Sequence, residues 1–171
     1  KGIKKICRYN QYYALKRAQH RLTEEKRGGI IWHTQGSGKT LSMIWLSKWI
    51  LVNNPNARVL IVTDREELDD QIEKAYKGVD ENIVRTKSGE DLVNKLNSYE
   101  HPLICSLIHK FGKKGGEATD KDIDKYIEEI KKALPKDYSA KGDFVVFVDE
   151  CHRTQSGKLH AAMKTIIPNG I

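Results

Sequence analysis

Five consecutive residues, Gly36-Ser37-Gly38-Lys39-Thr40, have the types and order needed to hold a polyphosphate. Glycine at 36 and 38 permits backbone conformations that a side chain forbids. Successive N–H groups can then turn into one concavity at the start of a helix. Lys39 meets the outer phosphates as a compact cation, and the Thr40 hydroxyl suits Mg2+. Thr34 lies at the entry of the loop. The pattern G-x-x-x-x-G-K-[ST] wants glycine at 33, where this chain has His33. A second candidate is the pair Asp149-Glu150, directly after the apolar run Phe144–Val148. Asp149 suits the same Mg2+, and Glu150 suits orienting and deprotonating a water that attacks a γ-phosphate. Gln11 has an amide that donates and accepts at once, which suits the adenine edge. Cys151-His152 cannot close a tetrahedral metal site alone.

These groups need rigid elements to bring them together. Tyr12, Leu15, Ala18 and Leu22 give a helical stripe within residues 8–26, ended by Arg27-Gly28-Gly29. Ile30–His33 reads as a buried strand leading into the loop. A helix from about 39 to 52 is apolar nearly all round and should be well buried. Residues 58–63 form a continuous apolar run, as a central parallel strand does. A helix follows at about 65–76, then a weak strand near 83–86 and a short helix capped by Ser88. Residues 103–108 and 144–148 are further strands, and 158–166 is a last helix. Residues 113–142 read as a peripheral excursion with one helix, begun by a capping box of Thr119 and Asp122. Trp32, Trp45 and Trp49 are expected in the core, and His20, His101 and His160 at the surface. Alternating strands and helices predict an α/β fold, one domain over 1–171 with a parallel sheet flanked by helices. Ligands bind beyond the carboxyl ends of such strands.

The 171 residues suffice for one domain with a core. Lys and Arg number 30 against 23 Asp and Glu, giving +7 and a pI near 9.2, which suits a polyanionic partner. No apolar run is long enough for a membrane span. Cys7, Cys105 and Cys151 are odd in number and lack C-x-x-C spacing, which points to a reducing compartment and no zinc. The start without methionine suggests a piece of a larger chain.

Gly36–Thr40 with Asp149-Glu150-Cys151-His152 resembles motifs I and II of superfamily two helicases and translocases. Residues 31–41, 62–71 and 149–157 resemble, more closely, the motor (restriction) subunit of type I restriction–modification enzymes. The resemblance runs from Arg8 to Pro168. It implies a P-loop NTPase, a first RecA-like domain using ATP and Mg2+ to move on double-stranded DNA, in the cytoplasm. It implies a nuclease domain and a second RecA-like domain in the same chain, the latter supplying arginines to the ATP site. Specificity and methyltransferase subunits are the implied partners. Gln11 would recognise adenine and residues 1–27 would form the helix around it. Arg65 would meet the DNA backbone, as would Ser106 and Lys110. Leu107 stands where the family carries a threonine. His152 would couple the ATP site to the DNA track. Without the second domain's arginines, worth roughly 10³–10⁵ in rate, this piece should hydrolyse ATP barely. Two other readings remain open on these residues: another superfamily two DNA or RNA helicase or remodeller, and a non-catalytic nucleotide-sensing or DNA-docking module.

Overall fold

The computed structural model describes residues 6–34, 36–63, 66–78, 81–108, 120–149 and 156–171. In chain order the elements are α1 (Tyr9–His20), continued by a π-helical turn (Arg21–Glu25), then α2 (Lys39–Asn53), β1 (Ala57–Thr63) and α3 (Glu66–Lys77). β2 (Val84–Arg85), α4 (Gly89–Leu96), β3 (Leu103–Leu107), α5 (Asp120–Ala133), β4 (Asp143–Val148) and α6 (Ser156–Ile166) follow. The strands form one sheet in the order β2-β3-β1-β4, and every pairing is parallel. This is the expected α/β architecture.

β1 is central and buried along its whole length, because helices cover both faces. Its alternate residues serve different layers. Ala57, Val59 and Ile61 join Leu103, Cys105, Ile44, Leu46, Ile50, Ile72 and Tyr76 in a core with α1, α2 and α3. Leu60 and Val62 join Ile104, Phe144, Leu92, Leu96, Tyr126, Ile130 and Met163 in a core with α4, α5 and α6. α5 is thus no peripheral excursion: Ile123, Tyr126 and Ile130 close one face of the sheet.

The expected strand at 30–33 does not form. Residues 26–34 carry no regular structure, and Ile30 and Trp32 are 74% and 82% exposed. Trp32 therefore leaves the core, while Trp45 and Trp49 pack partly against it. A strand needs a neighbour for its backbone groups. The outer side of β4 is instead met by Ile171, whose N–H donates to the Phe144 carbonyl (3.0 Å) while its carbonyl accepts from Val146 N–H (2.7 Å).

Polar groups are built into both cores. The Ser47 and Tyr76 hydroxyls bond at 2.7 Å, and the Ser106 and Tyr126 hydroxyls at 2.8 Å. Burial pushes the Tyr76 and Tyr126 phenols well above the usual tyrosine value, against their serine bonds, and pushes Tyr138 up to about 12, against Arg58. A phenol raised on folding contributes stability that is full below its unfolded value near 10.0. Above that pH the unfolded chain releases protons that the fold retains. Stability should then fall by up to about 1.4 kcal/mol per phenol per pH unit, until the folded values are passed. Denaturant midpoints between pH 9 and 11 measure this, and Tyr126→Phe should flatten the slope.

Candidate functional site

The loop before α2 has the backbone shape its glycines anticipate. Gly36 and Gly38 both take left-handed conformations, with φ of 76° and 85°. Ser37 closes the turn, its N–H and hydroxyl both donating to the Thr34 carbonyl, at 3.3 and 2.7 Å. The N-cap of α2 is Gly38, which has no side chain with which to cap the helix. A helix start of that kind leaves N–H groups directed at whatever anion approaches. Lys39, the first residue of α2, rests its ammonium 3.5 Å from the His33 carbonyl. Thr40 follows, half-buried.

Asp149 lies at the same rim of the sheet. Its N–H donates to the Val62 carbonyl, extending the β1–β4 ladder by one residue past Val148. α2 reaches β1 through the tight turn Asn54–Asn56 and packs on it, so the two run in opposite directions. Fifteen helical residues rise about 22 Å and seven strand residues about 23 Å. The start of α2 therefore returns to the level of Thr63, the carboxyl end of β1, where Asp149 stands beside it. Among the described residues no 30–33 strand lies beside β4; the helix length brings the two groups to one rim.

Gln11 is 2% exposed. Its Oε1 accepts from Arg8 N–H at 2.9 Å and its Nε2 donates to the Gly38 carbonyl at 3.0 Å. One N–H and one lone pair of the amide remain for another partner. A Cβ on residue 38 would come within 2.3 Å of Nε2 and displace the amide, and the left-handed φ itself favours glycine there. Ser42 joins this cluster, its N–H (3.1 Å) and hydroxyl (3.4 Å) both directed at the Gly38 carbonyl. Spacing alone does not single out Ser42; its signal is a small polar residue three positions after Lys39 in a mostly apolar helix.

Ser106, expected at a DNA backbone, is 1% exposed. Its hydroxyl bonds to Tyr126 at 2.8 Å and accepts from Thr86 Oγ1 at 2.9 Å. Even residues of β3 face the α5 layer, so Ser106 points into that core and presents nothing to a phosphate. Glu150, Arg65, Lys110 and His152 lie outside the described residues. Among the described residues, no cluster of His, Cys, Asp and Glu could hold a metal alone, and no helix is long and apolar enough to cross a membrane. The groups present suit a metal held jointly with phosphate, since a hydroxyl and a carboxylate on one rim leave the remaining positions to the ligand.

The SWI2/SNF2 ATPase family model matches residues 10–171. Among curated relatives, an endonuclease subunit of a type I restriction enzyme from Staphylococcus saprophyticus is 33% identical over 156 residues, 90% of this chain and 15% of the relative. Such a subunit from Staphylococcus aureus strain COL is 32% identical over 161 residues, 93% of this chain and 16% of the relative. Another, from Haemophilus influenzae, is 30% identical over 173 residues, 94% and 15% of the two chains. The chain thus spans about 15% of the length of each relative. The glycine loop at the start of α2, the acid at the end of β4 and the match over 10–171 make this chain a member of the SWI2/SNF2 ATPase family.

Proposed function

We propose that this domain binds ATP with Mg2+ at the 34–40 loop and hydrolyses it to drive movement along double-stranded DNA, as the first RecA-like motor domain of a type I restriction endonuclease subunit. The observation that carries the reading is the glycine-capped start of α2, with Gly36 and Gly38 left-handed and Lys39 beside it, at the rim where Asp149 follows β4. The backbone N–H groups of Gly36, Gly38, Lys39 and Thr40 take the phosphates, and Lys39 leaves the His33 carbonyl for the outer ones. Thr40 and Asp149 hold the magnesium, which neutralises charge on the phosphates when bound. Glu150, next in sequence, orients and deprotonates the attacking water. Gln11 meets adenine with the amide groups left to it. Arg65 and Lys110 meet the DNA backbone, and His152 couples the two sites. A nuclease domain and a second RecA-like domain belong to the same chain, with specificity and methyltransferase subunits as partners. The names of the relatives support the restriction context, and the net charge of +7 supports a polyanion.

The full-length subunit tests this. ATP turnover should rise with duplex DNA and not with duplex RNA of equal length. Glu150→Gln should lower that turnover by about 10²–10⁴-fold while MgATP still binds. Equal stimulation by RNA would move the domain to another helicase class, and full turnover in the Glu150→Gln protein would put hydrolysis outside this domain and leave it a nucleotide-sensing module.

A further inference from the structure

The placement of Gln11 has a meaning that does not depend on the base of the nucleotide. Three donors converge on the Gly38 carbonyl: Gln11 Nε2, the Ser42 N–H and the Ser42 hydroxyl. The peptide between Gly38 and Lys39 is planar and trans, so its carbonyl and its N–H point in opposite directions. Drawing the carbonyl toward α1 therefore turns the Lys39 N–H the other way, away from α1. That N–H is one of the first donors of α2, in the loop read above as the phosphate cradle. The Ser42 bonds hold this peptide from the α2 side, and glycine at 38 offers no steric stop of its own. Gln11 supplies the stop. It is itself fixed, because its other amide atom is held by the Arg8 N–H and the side chain is buried.

We infer that Gln11 is a positioning residue of the phosphate loop, which sets the Gly38–Lys39 peptide for any triphosphate, whatever base is attached. The inference rests on the proposed nucleotide site. It differs from base recognition in what should be lost when the amide donor is removed: affinity for the triphosphate itself.

The test uses the full-length subunit, with calorimetric titration of MgATP and of magnesium tripolyphosphate, which has no base. Gln11→Glu keeps the length of the side chain and the acceptor for Arg8 N–H but removes the donor to Gly38. Gln11→Met removes both without adding charge. The expected result is that both variants bind both ligands about tenfold more weakly, by a similar factor, at unchanged stoichiometry; about tenfold corresponds to about 1.4 kcal/mol. Loss of folding would instead lower the bound fraction without moving the dissociation constant of the remainder, and in both variants that result would overturn the inference. A drop for MgATP with tripolyphosphate unaffected would also overturn it, leaving Gln11 as a reader of adenine alone. If the unsubstituted subunit bound neither ligand, the proposed nucleotide site would fail first.

Discussion

Lys39→Ala in the full-length subunit is expected to lower ATP turnover at least about 100-fold, the scale seen when one transition-state donor is removed. The Lys39 ammonium rests against a neutral group, the His33 carbonyl at 3.5 Å. Exchanging that contact for charged phosphate oxygens is strongly favourable, because charge-assisted bonds contribute roughly 1.5–3 kcal/mol where neutral ones give about 1. The charge also grows in importance as the phosphoryl group departs, so turnover should suffer more than binding. Lys39→Arg should not restore activity, since a planar fork cannot occupy the place of a point charge at the start of α2. Steady-state turnover at saturating MgATP, alongside a binding titration, measures both effects. Turnover within about threefold of the unsubstituted protein would remove Lys39 from the transition state.

Arg58→Met should cost about 3–5 kcal/mol of stability, a large share of the 5–15 kcal/mol a domain of this kind has. Arg58 is 2% exposed, in the middle of the fold, and its guanidinium donates to four backbone carbonyls. Nε and Nη2 reach His101 at 3.1 and 2.8 Å, Nη1 reaches Leu96 at 3.0 and Lys141 at 2.8 Å, and Nη2 also reaches Lys95 at 2.7 Å. The Phe144 ring lies 4.6 Å away beneath it. Lys95 and Leu96 end α4, so the cation sits at the negative end of a helix. Burial lowers the guanidinium pKa from its ordinary value, opposed by the Tyr138 and Tyr99 rings. Methionine matches the length and the apolar stem but leaves those carbonyls without a donor, each costing about 1–3 kcal/mol when water cannot replace it. Arg58→Lys should recover only part, because three donors on one nitrogen cannot span four acceptors. The shift of the denaturant midpoint, followed through Trp45 and Trp49 fluorescence, gives the number. A midpoint unchanged by Arg58→Met would mean that water satisfies the carbonyls equally well.

What could be read from the sequence was what short-range rules control. Runs of apolar residues marked β1, β3 and β4. Helical spacing marked α1, α2 and α5, and Ser88 caps α4 by accepting from the Asp91 N–H at 3.0 Å, as its type suggested. The loop was legible because glycine at 36 and 38 means left-handed backbone wherever it is required. The misreadings all concern partners distant in the chain. Ile30–His33 has the composition of a strand, but composition does not supply a neighbour. Arg58 looked like the edge of an apolar run, because nothing nearby announces carbonyls 37 to 83 residues away. Ser106 looked available to a phosphate until α5 brought Tyr126 over it. For the same reason the 113–142 stretch looked detachable: its contribution to the core is made across the sheet and not along the chain.

The alternation within β1 fixes something further. Its even residues carry Arg58 to the α4 carbonyls, its odd residues meet α2, and Val62 holds Asp149 at the rim. A strand with period two has only two phases, and a slip of one residue exchanges them wholesale. Deleting a single residue between 58 and 62 would thus unseat the buried cation, reverse the apolar faces and move the acid out of step with the phosphate loop together. Stability and chemistry share one reading frame in this strand, and length changes that surface turns absorb are closed to it.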